Sequence, residues 1–200
     1  MLRCTALVLA VVAAGSAGLL AQDPTLSAAQ ADRFYAKVMT VVRHPGVKAA
    51  DTAAARTVFT EPEINSYLKY RAPEHLPDGV ADPVVSLVGP GRLSGRVQVD
   101  LDNVRKKSSG GWFDPAAYLT GRLPVTVAGT LVAANGVGRF NLESAAVSGV
   151  PVPKSLIQEL VTYYTRSAET PDGVRLDQAF DLPVGIERIE IREKEATVVQ

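Results

Sequence analysis

The sequence predicts an α+β domain in which an antiparallel sheet of hairpins packs on amphipathic helices. Three observations carry that prediction. Apolar residues recur at spacings of three and four between Ser27 and Arg43 and again between Leu156 and Tyr164, the period of a helix buried on one face. Between Val84 and Glu143 the period falls to two, with turn residues separating the runs. The helical and strand-like stretches are grouped rather than strictly alternating, which favours helices segregated on an antiparallel sheet over a parallel βαβ arrangement.

The chain opens with Met1-Leu2-Arg3, an apolar run from Ala6 to Leu20 broken only by Ser16, and then Gln22-Asp23-Pro24. One positive charge, an apolar stretch and a polar, turn-prone exit form the layout of a cleaved secretory signal. The stretch is about fifteen residues, short of the roughly 20 that a membrane-spanning helix needs. The expectation is a signal peptide over residues 1–22, cleaved after Ala21 or Gln22, and a single domain over residues 23–200 that works in the periplasm or outside the cell. An uncleaved N-terminal anchor is the alternative. Cys4, the only cysteine, lies within the signal, so the mature chain would hold no disulfide, thiolate ligand or cysteine nucleophile.

Without the signal, roughly 178 residues suit one domain and can bury a sizeable core without staples. Twenty-one basic and 21 acidic residues cancel over the whole chain, and losing Arg3 leaves one net negative charge. No bulk charge draws the protein to nucleic acid or to an anionic membrane, so any membrane contact is local and transient.

Taken in order, the first helix carries Ala31, Phe34, Tyr35, Val38, Met39 and Val42 on one face and stops at His44-Pro45-Gly46. A polar, Ala-rich stretch from Val47 to Ala55 reads as a loop, and Arg56 to Phe59 as a short strand. Thr60-Glu61-Pro62-Glu63 has the capping-box form, with proline tolerated in the first turn. The helix it opens places Ile64, Tyr67 and Leu68 together and ends before Pro73. Val84 to Val88 and Leu93 to Leu101 form a hairpin around Gly89-Pro90-Gly91. A second hairpin turns at Asn135-Gly136, with Leu123, Val125, Val127, Gly129 and Leu131 on one face and Phe140 and Leu142 returning. Gly149 to Pro153 breaks the sheet before a helix marked by Leu156, Ile157, Leu160, Val161 and Tyr164. Ile189 and Ile191 then alternate with charged residues, and Ala196 to Val199 reads as a last strand.

Catalytic constellations do not emerge from the sequence. The two histidines, His44 and His75, sit beside turns and pair with no third ligand at metal-binding spacing. No Gly-x-Ser-x-Gly elbow or phosphate-binding glycine pattern occurs. Glu61 and Glu63 share one helix start, where capping accounts for them better than acid–base work. The expectation is therefore a protein that is not an enzyme and uses neither metal nor cofactor. One segment stands apart: Arg105-Lys106-Lys107, a Ser/Gly tip, then Trp112-Phe113. Basic charge beside aromatic rings suits transient contact with an anionic membrane surface, while a solvated loop with Trp112 folded onto the core is the simpler reading.

The order of motifs resembles that of small bacterial exported or membrane-anchored proteins related to the LmeA and YpmS families, and more distantly the tubular lipid-binding (TULIP) domains. The resemblance rests on Glu63, Asn65 and Leu68 in the threonine-capped helix, the two alternating hairpins, the Gly149–Pro153 step into an apolar helix, and the final Ile-Glu-Arg-Ile-Glu-Ile strand. It spans about Phe59 to Val199. It implies a half-barrel, a curved antiparallel sheet around a helix, with an apolar groove for acyl chains. In this chain the face built from Val97, Val99, Leu101, Val125, Val127, Leu131, Phe140 and Leu142 would line such a groove, and the same alternation also describes an ordinary packed core. The expected function is non-enzymatic, extracytoplasmic binding of lipid or another apolar small molecule, with a role in envelope lipid transport or homeostasis. The alternative is an envelope scaffold module with a filled core that recognises a protein through a sheet edge or the Trp112 loop.

Overall fold

The computed structural model describes residues 26–43, 54–100, 102, 121–166, 171–176, 178–183 and 185–200. Among these, three α-helices and nine strands follow one another as α1 (Ala28–Arg43), β1 (Arg56–Thr60), α2 (Glu61–Tyr70), β2 (Val80–Gly89), β3 (Arg92–Asp100), β4 (Arg122–Ala134), β5 (Val137–Val147), β6 (Val150–Pro151), α3 (Lys154–Tyr164), β7 (Ala179–Asp181), β8 (Arg188–Arg192) and β9 (Glu195–Val199). A short 3-10 turn at Pro73–His75 joins α2 to β2. The strands form one open sheet, and every pairing is antiparallel. The α+β class read from the sequence is the class of the fold.

The longest strand, β4, is the trunk of the sheet. Along one side its residues from Arg122 to Thr130 pair with β3, while Ala133 further along pairs with Ile189 of β8. Two branches therefore leave the same side of β4, one through β3 to β2 and the other through β8 and β9 to β1. Gly91, in the turn of the first hairpin, ties them together. Its N–H donates to the Ile191 carbonyl at 3.0 Å, and its carbonyl accepts from the Leu131 N–H at 2.8 Å. The other side of β4 pairs with β5, which in turn carries the short β6 and β7.

Local chemistry explains the register. Asn135 and Gly136 both have positive φ, 55° and 76°, as a two-residue turn that continues the strand twist requires. Between Ala128 and Gly129 the β4–β5 register slips, and the Phe140 ring lies over Gly129. A Cβ there would stand 2.3 Å from the Asn141 carbonyl oxygen, so only glycine fits. β2 begins earlier than the sequence suggests, at Val80, because its register shift between Ala81 and Val84 absorbs Pro83, which has no N–H for a ladder.

Two apolar clusters form. In the larger, Val99, Val125, Leu142, Ala145 and Val147 of β3–β5 are covered by Ile157 and Leu160 of α3. In the smaller, Phe34, Val38 and Val41 of α1 pack with Phe59, Ile64, Ile186, Ile189 and Val198. No helix among the described residues is long and apolar enough to cross a membrane.

Candidate functional site

α2 lies where the two branches separate, and its polar residues take up backbone groups on the outer edge of each. Along β2, the side away from β3 presents the backbone of Val85 and Leu87. Asn65 meets Val85 as a strand would: its Oδ1 accepts the Val85 N–H at 2.8 Å and its Nδ2 donates to the Val85 carbonyl at 2.7 Å. The Glu61 carboxylate accepts the Leu87 N–H at 2.6 Å, and the Leu87 carbonyl accepts the Lys194 N–H at 2.9 Å. On β1, the side away from β9 is held similarly. Glu63 accepts the Thr60 N–H at 3.0 Å and two contacts from Lys37 Nζ at 2.8 and 2.6 Å, and Lys37 also donates to the Val58 carbonyl at 2.8 Å. Ser66, wholly buried, donates to Gln30 Oε1 and accepts the Ser27 N–H, fastening α1 to α2.

Burial, the largest influence on Glu63, pushes its carboxyl up. The Lys37 hydrogen bond, the Thr60 N–H and the Lys37 charge together outweigh it and hold the group below its ordinary value of 4.5. Glu63 and Asn65, two of the three helix residues behind the family resemblance, therefore have architectural work in this chain.

The apolar sheet face read from the sequence is found as one face, but a helix lies over much of it. Val99, Val125 and Leu142 are buried beneath α3, and Val97, Val127 and Phe140 are half-buried against the same cluster. Leu131, also half-buried, pairs with Phe140 across β4 and β5. Leu101 lies outside the described residues, as do Arg105, Lys106, Lys107, Trp112 and Phe113 and the signal-like N-terminus.

Concavities among the described residues include three of note. The first is an open groove of about 340 Å³ between α1, β1 and β9, lined by Phe34, Val38, Val41, Val42, Phe59, Ile64, Pro183, Ile186, Ala196 and Val198. Every lining side chain is apolar, and Phe34 is set in place by ring contacts to Phe59 at 5.2 Å and Tyr67 at 4.8 Å. The second, about 350 Å³, lies between β5 and the first turns of α3. Phe140, Leu142 and Leu176 form its apolar part, and Asn141, Lys154, Ser155, Gln158 and Arg175 its polar part. The third, about 510 Å³, is a polar hollow between α1 and α2 that holds the Asp32–Arg71 ion pair, three tyrosines, Glu74 and His75.

Sequence reasoning recognised the α1 stripe, Phe59, Ile64 and the last strand as apolar, yet did not bring them together as a groove. The available signal was the width of the α1 stripe. It exceeds what the core takes in, leaving Val42 59% exposed.

Among the described residues, no three or more His, Cys, Asp or Glu side chains are gathered to hold a metal. Tyr164 donates to the Asp100 carbonyl at 2.5 Å, and burial followed by the Asp100 charge pushes its hydroxyl up to about 12. It therefore serves as a neutral tether between α3 and β3.

Fold and concavities together define an α+β domain with a branched antiparallel sheet and open apolar surfaces. Comparison of the chain with protein-family models, with curated proteins and with solved structures finds no match.

Proposed function

We propose that this protein is an extracytoplasmic, non-enzymatic binder of lipid or another apolar ligand, and that the α1–β9 groove receives an alkyl or acyl chain. The observation that carries the proposal is the groove's lining of apolar side chains only. A peptide backbone or a sugar entering it would lose water from polar groups and find no side-chain partner, at a cost of about 1–3 kcal/mol for each group left unpaired. A hydrocarbon chain suffers no such loss and gains about 25 cal/mol for each Å² removed from water. The groove volume lies near the lower end of the roughly 300–1,000 Å³ typical of ligand pockets, which suits part of a chain rather than a whole lipid. The family resemblance and the signal-like N-terminus support the same reading, including a half-barrel architecture and a role in envelope lipid traffic.

A scaffold that adds a partner strand to a sheet edge draws less support. The outward N–H and carbonyl of Val85 and Leu87, the Val58 carbonyl and the Thr60 N–H already have intramolecular partners.

The test is native mass spectrometry of the protein purified from a bacterial host, with titration of a fluorescent fatty acid. Co-purifying lipid and saturable uptake are expected. Val42→Glu, at an exposed rim position, should abolish uptake and leave the circular dichroism unchanged. Bare polypeptide with no uptake would overturn the proposal.

A further inference from the structure

We propose that the face of the sheet opposite α1 and α3 is a docking surface for an anionic membrane. The inference stands on that face alone and does not depend on the α1–β9 groove.

Alternation along each strand divides the sheet into two faces. Val99, Val125 and Leu142 point to the face beneath α3, and Phe59, Ile189 and Val198 to the same face beneath α1. The residues between them point the other way, in rows that cross the strands. One row is Ser86, Ser94, Ala128 and Ser144, and the next is Val84, Arg96, Thr126 and Ala146. Over β2–β5 no described helix packs on this face: Arg96, Thr126 and Arg139 are exposed, and Val84 and Val132 are 46% and 56% exposed.

Arginine dominates what stands there. Arg96, Arg122 and Arg139 make no ion pair among the described residues. Arg92 reaches Glu143 only at 3.9 Å, and that carboxylate already accepts Thr130 Oγ1 at 2.5 Å. Beside them a single carboxylate, Glu190, faces three guanidiniums, from Arg56 at 2.7 Å, Arg188 at 2.9 Å and Arg192 at 3.9 Å. The other carboxylates of this face, Asp100, Asp181 and Glu195, stand at strand ends. The middle of the face is therefore cationic, in a chain whose 21 basic and 21 acidic residues cancel.

The partner follows from what accompanies the charge. Guanidinium groups bind phosphate through paired hydrogen bonds, and phospholipid headgroups and nucleic acids both offer phosphate. A single strand also takes aromatic rings on which bases stack, and a duplex takes many cations at once. No aromatic residue belongs to this face among the described strands, and its cations are interrupted by Glu143 and Glu190. Exposed valines beside arginines suit the headgroup region, where short apolar side chains leave water while cations meet anionic lipid. The row of small residues from Ser86 to Ser144 keeps the middle low, so Arg92 and Arg96 on either side of it stand clear to meet a broad surface.

The experiment is co-sedimentation of the protein, purified from a bacterial host, with unilamellar vesicles at pH 7. One set is phosphatidylcholine alone and the other contains about 30 mol% phosphatidylglycerol, at about 0.1 M NaCl. The readout is the ratio of the two affinities, in which insertion of an apolar run such as Ala6 to Leu20 cancels. Wild type should favour the anionic vesicles about 10-fold or more and lose most of that preference at about 0.5 M NaCl. Arg96→Glu/Arg139→Glu should abolish the preference. Neither residue has an ion pair to lose among the described residues, and circular dichroism checks that the fold is kept. Arg33→Glu/Lys154→Glu, which makes the same change in net charge at exposed positions of α1 and α3, should keep the preference. Equal affinity for both vesicles would overturn the inference, as would an unchanged Arg96→Glu/Arg139→Glu or an equal loss in the charge-matched control. Tighter binding, per phosphate, to a thymidine oligonucleotide than to the anionic vesicles would also overturn it and mark a nucleic-acid face. None of these outcomes changes if the groove takes up no fatty acid.

Discussion

Asn65→Ala removes the amide that imitates a neighbouring strand at the outer edge of β2. The Val85 N–H and carbonyl lose partners at 2.8 and 2.7 Å, in a place where Asn65 itself is only 8% exposed. A net contribution of about 0.5–1.5 kcal/mol for each bond, and about 1–3 kcal/mol for each group left unpaired, bound the loss. Val85 is half-buried, so water recovers part of it. The expected cost is about 2–3 kcal/mol, a large share of a margin that is typically about 5–15 kcal/mol. Asn65→Asp sharpens the test because it keeps the shape. One carboxylate oxygen still accepts the Val85 N–H, but the other faces the Val85 carbonyl as a second acceptor. At pH 7 it should cost at least as much as alanine, and part of the loss should return as the pH falls and the carboxyl becomes a donor. Urea unfolding followed by far-UV circular dichroism at pH 7 and pH 4 measures both. A loss below about 0.5 kcal/mol for Asn65→Ala at unchanged m-value, or an Asn65→Asp variant equal to wild type at pH 7, would refute the edge-capping argument.

Two glycines beneath aromatic rings should respond differently to one methyl group. Gly129→Ala drives a Cβ to 2.3 Å from a backbone oxygen and should cost about 2–3 kcal/mol, whereas Gly138→Ala meets the ring of Phe180 at 2.5 Å. That ring is 47% exposed and can swing aside, so thermal unfolding should show a loss of less than about 1 kcal/mol for Gly138→Ala. Equal losses would refute the distinction. Glu63 sets an acid dependence. Because its folded carboxyl lies below its ordinary 4.5, its stabilisation is complete above that value and disappears as the pH falls through the lower folded one. Urea midpoints measured from pH 7 to pH 3 should fall less steeply for Glu63→Gln than for wild type; identical slopes would contradict the assignment.

The parts legible in the sequence were those governed by neighbours a few residues away. The Thr60 capping box, the Asn135-Gly136 turn and the α1 stripe each announce themselves through short-range spacing, and each forms. The two-residue β6 and three-residue β7 are too short for any period, and all their residues are exposed. Asn65 could be read as a helix residue, but its bonds to Val85 depend on how two branches of the sheet meet. The apolar face of β3–β5 posed a different problem. Alternation marks Val99, Val125 and Leu142 as inward-facing, but whether a helix or a ligand lies above them is a question of tertiary packing. The α1–β9 groove draws on four separated stretches of chain, each of which by itself reads as core.

The pairing of β1 with β9 joins Arg56 to Val199, so the groove contains residues from both ends of the described domain. Synthesis runs from the N-terminus, and a contact spanning most of a chain is among the slowest to form. The branch holding β1 cannot be completed until residue 199 has been made. Until then Phe59 and the α1 stripe lack their Ala196 and Val198 partners and offer a sticky surface to any chaperone. The groove therefore forms only once both ends of the described domain have met.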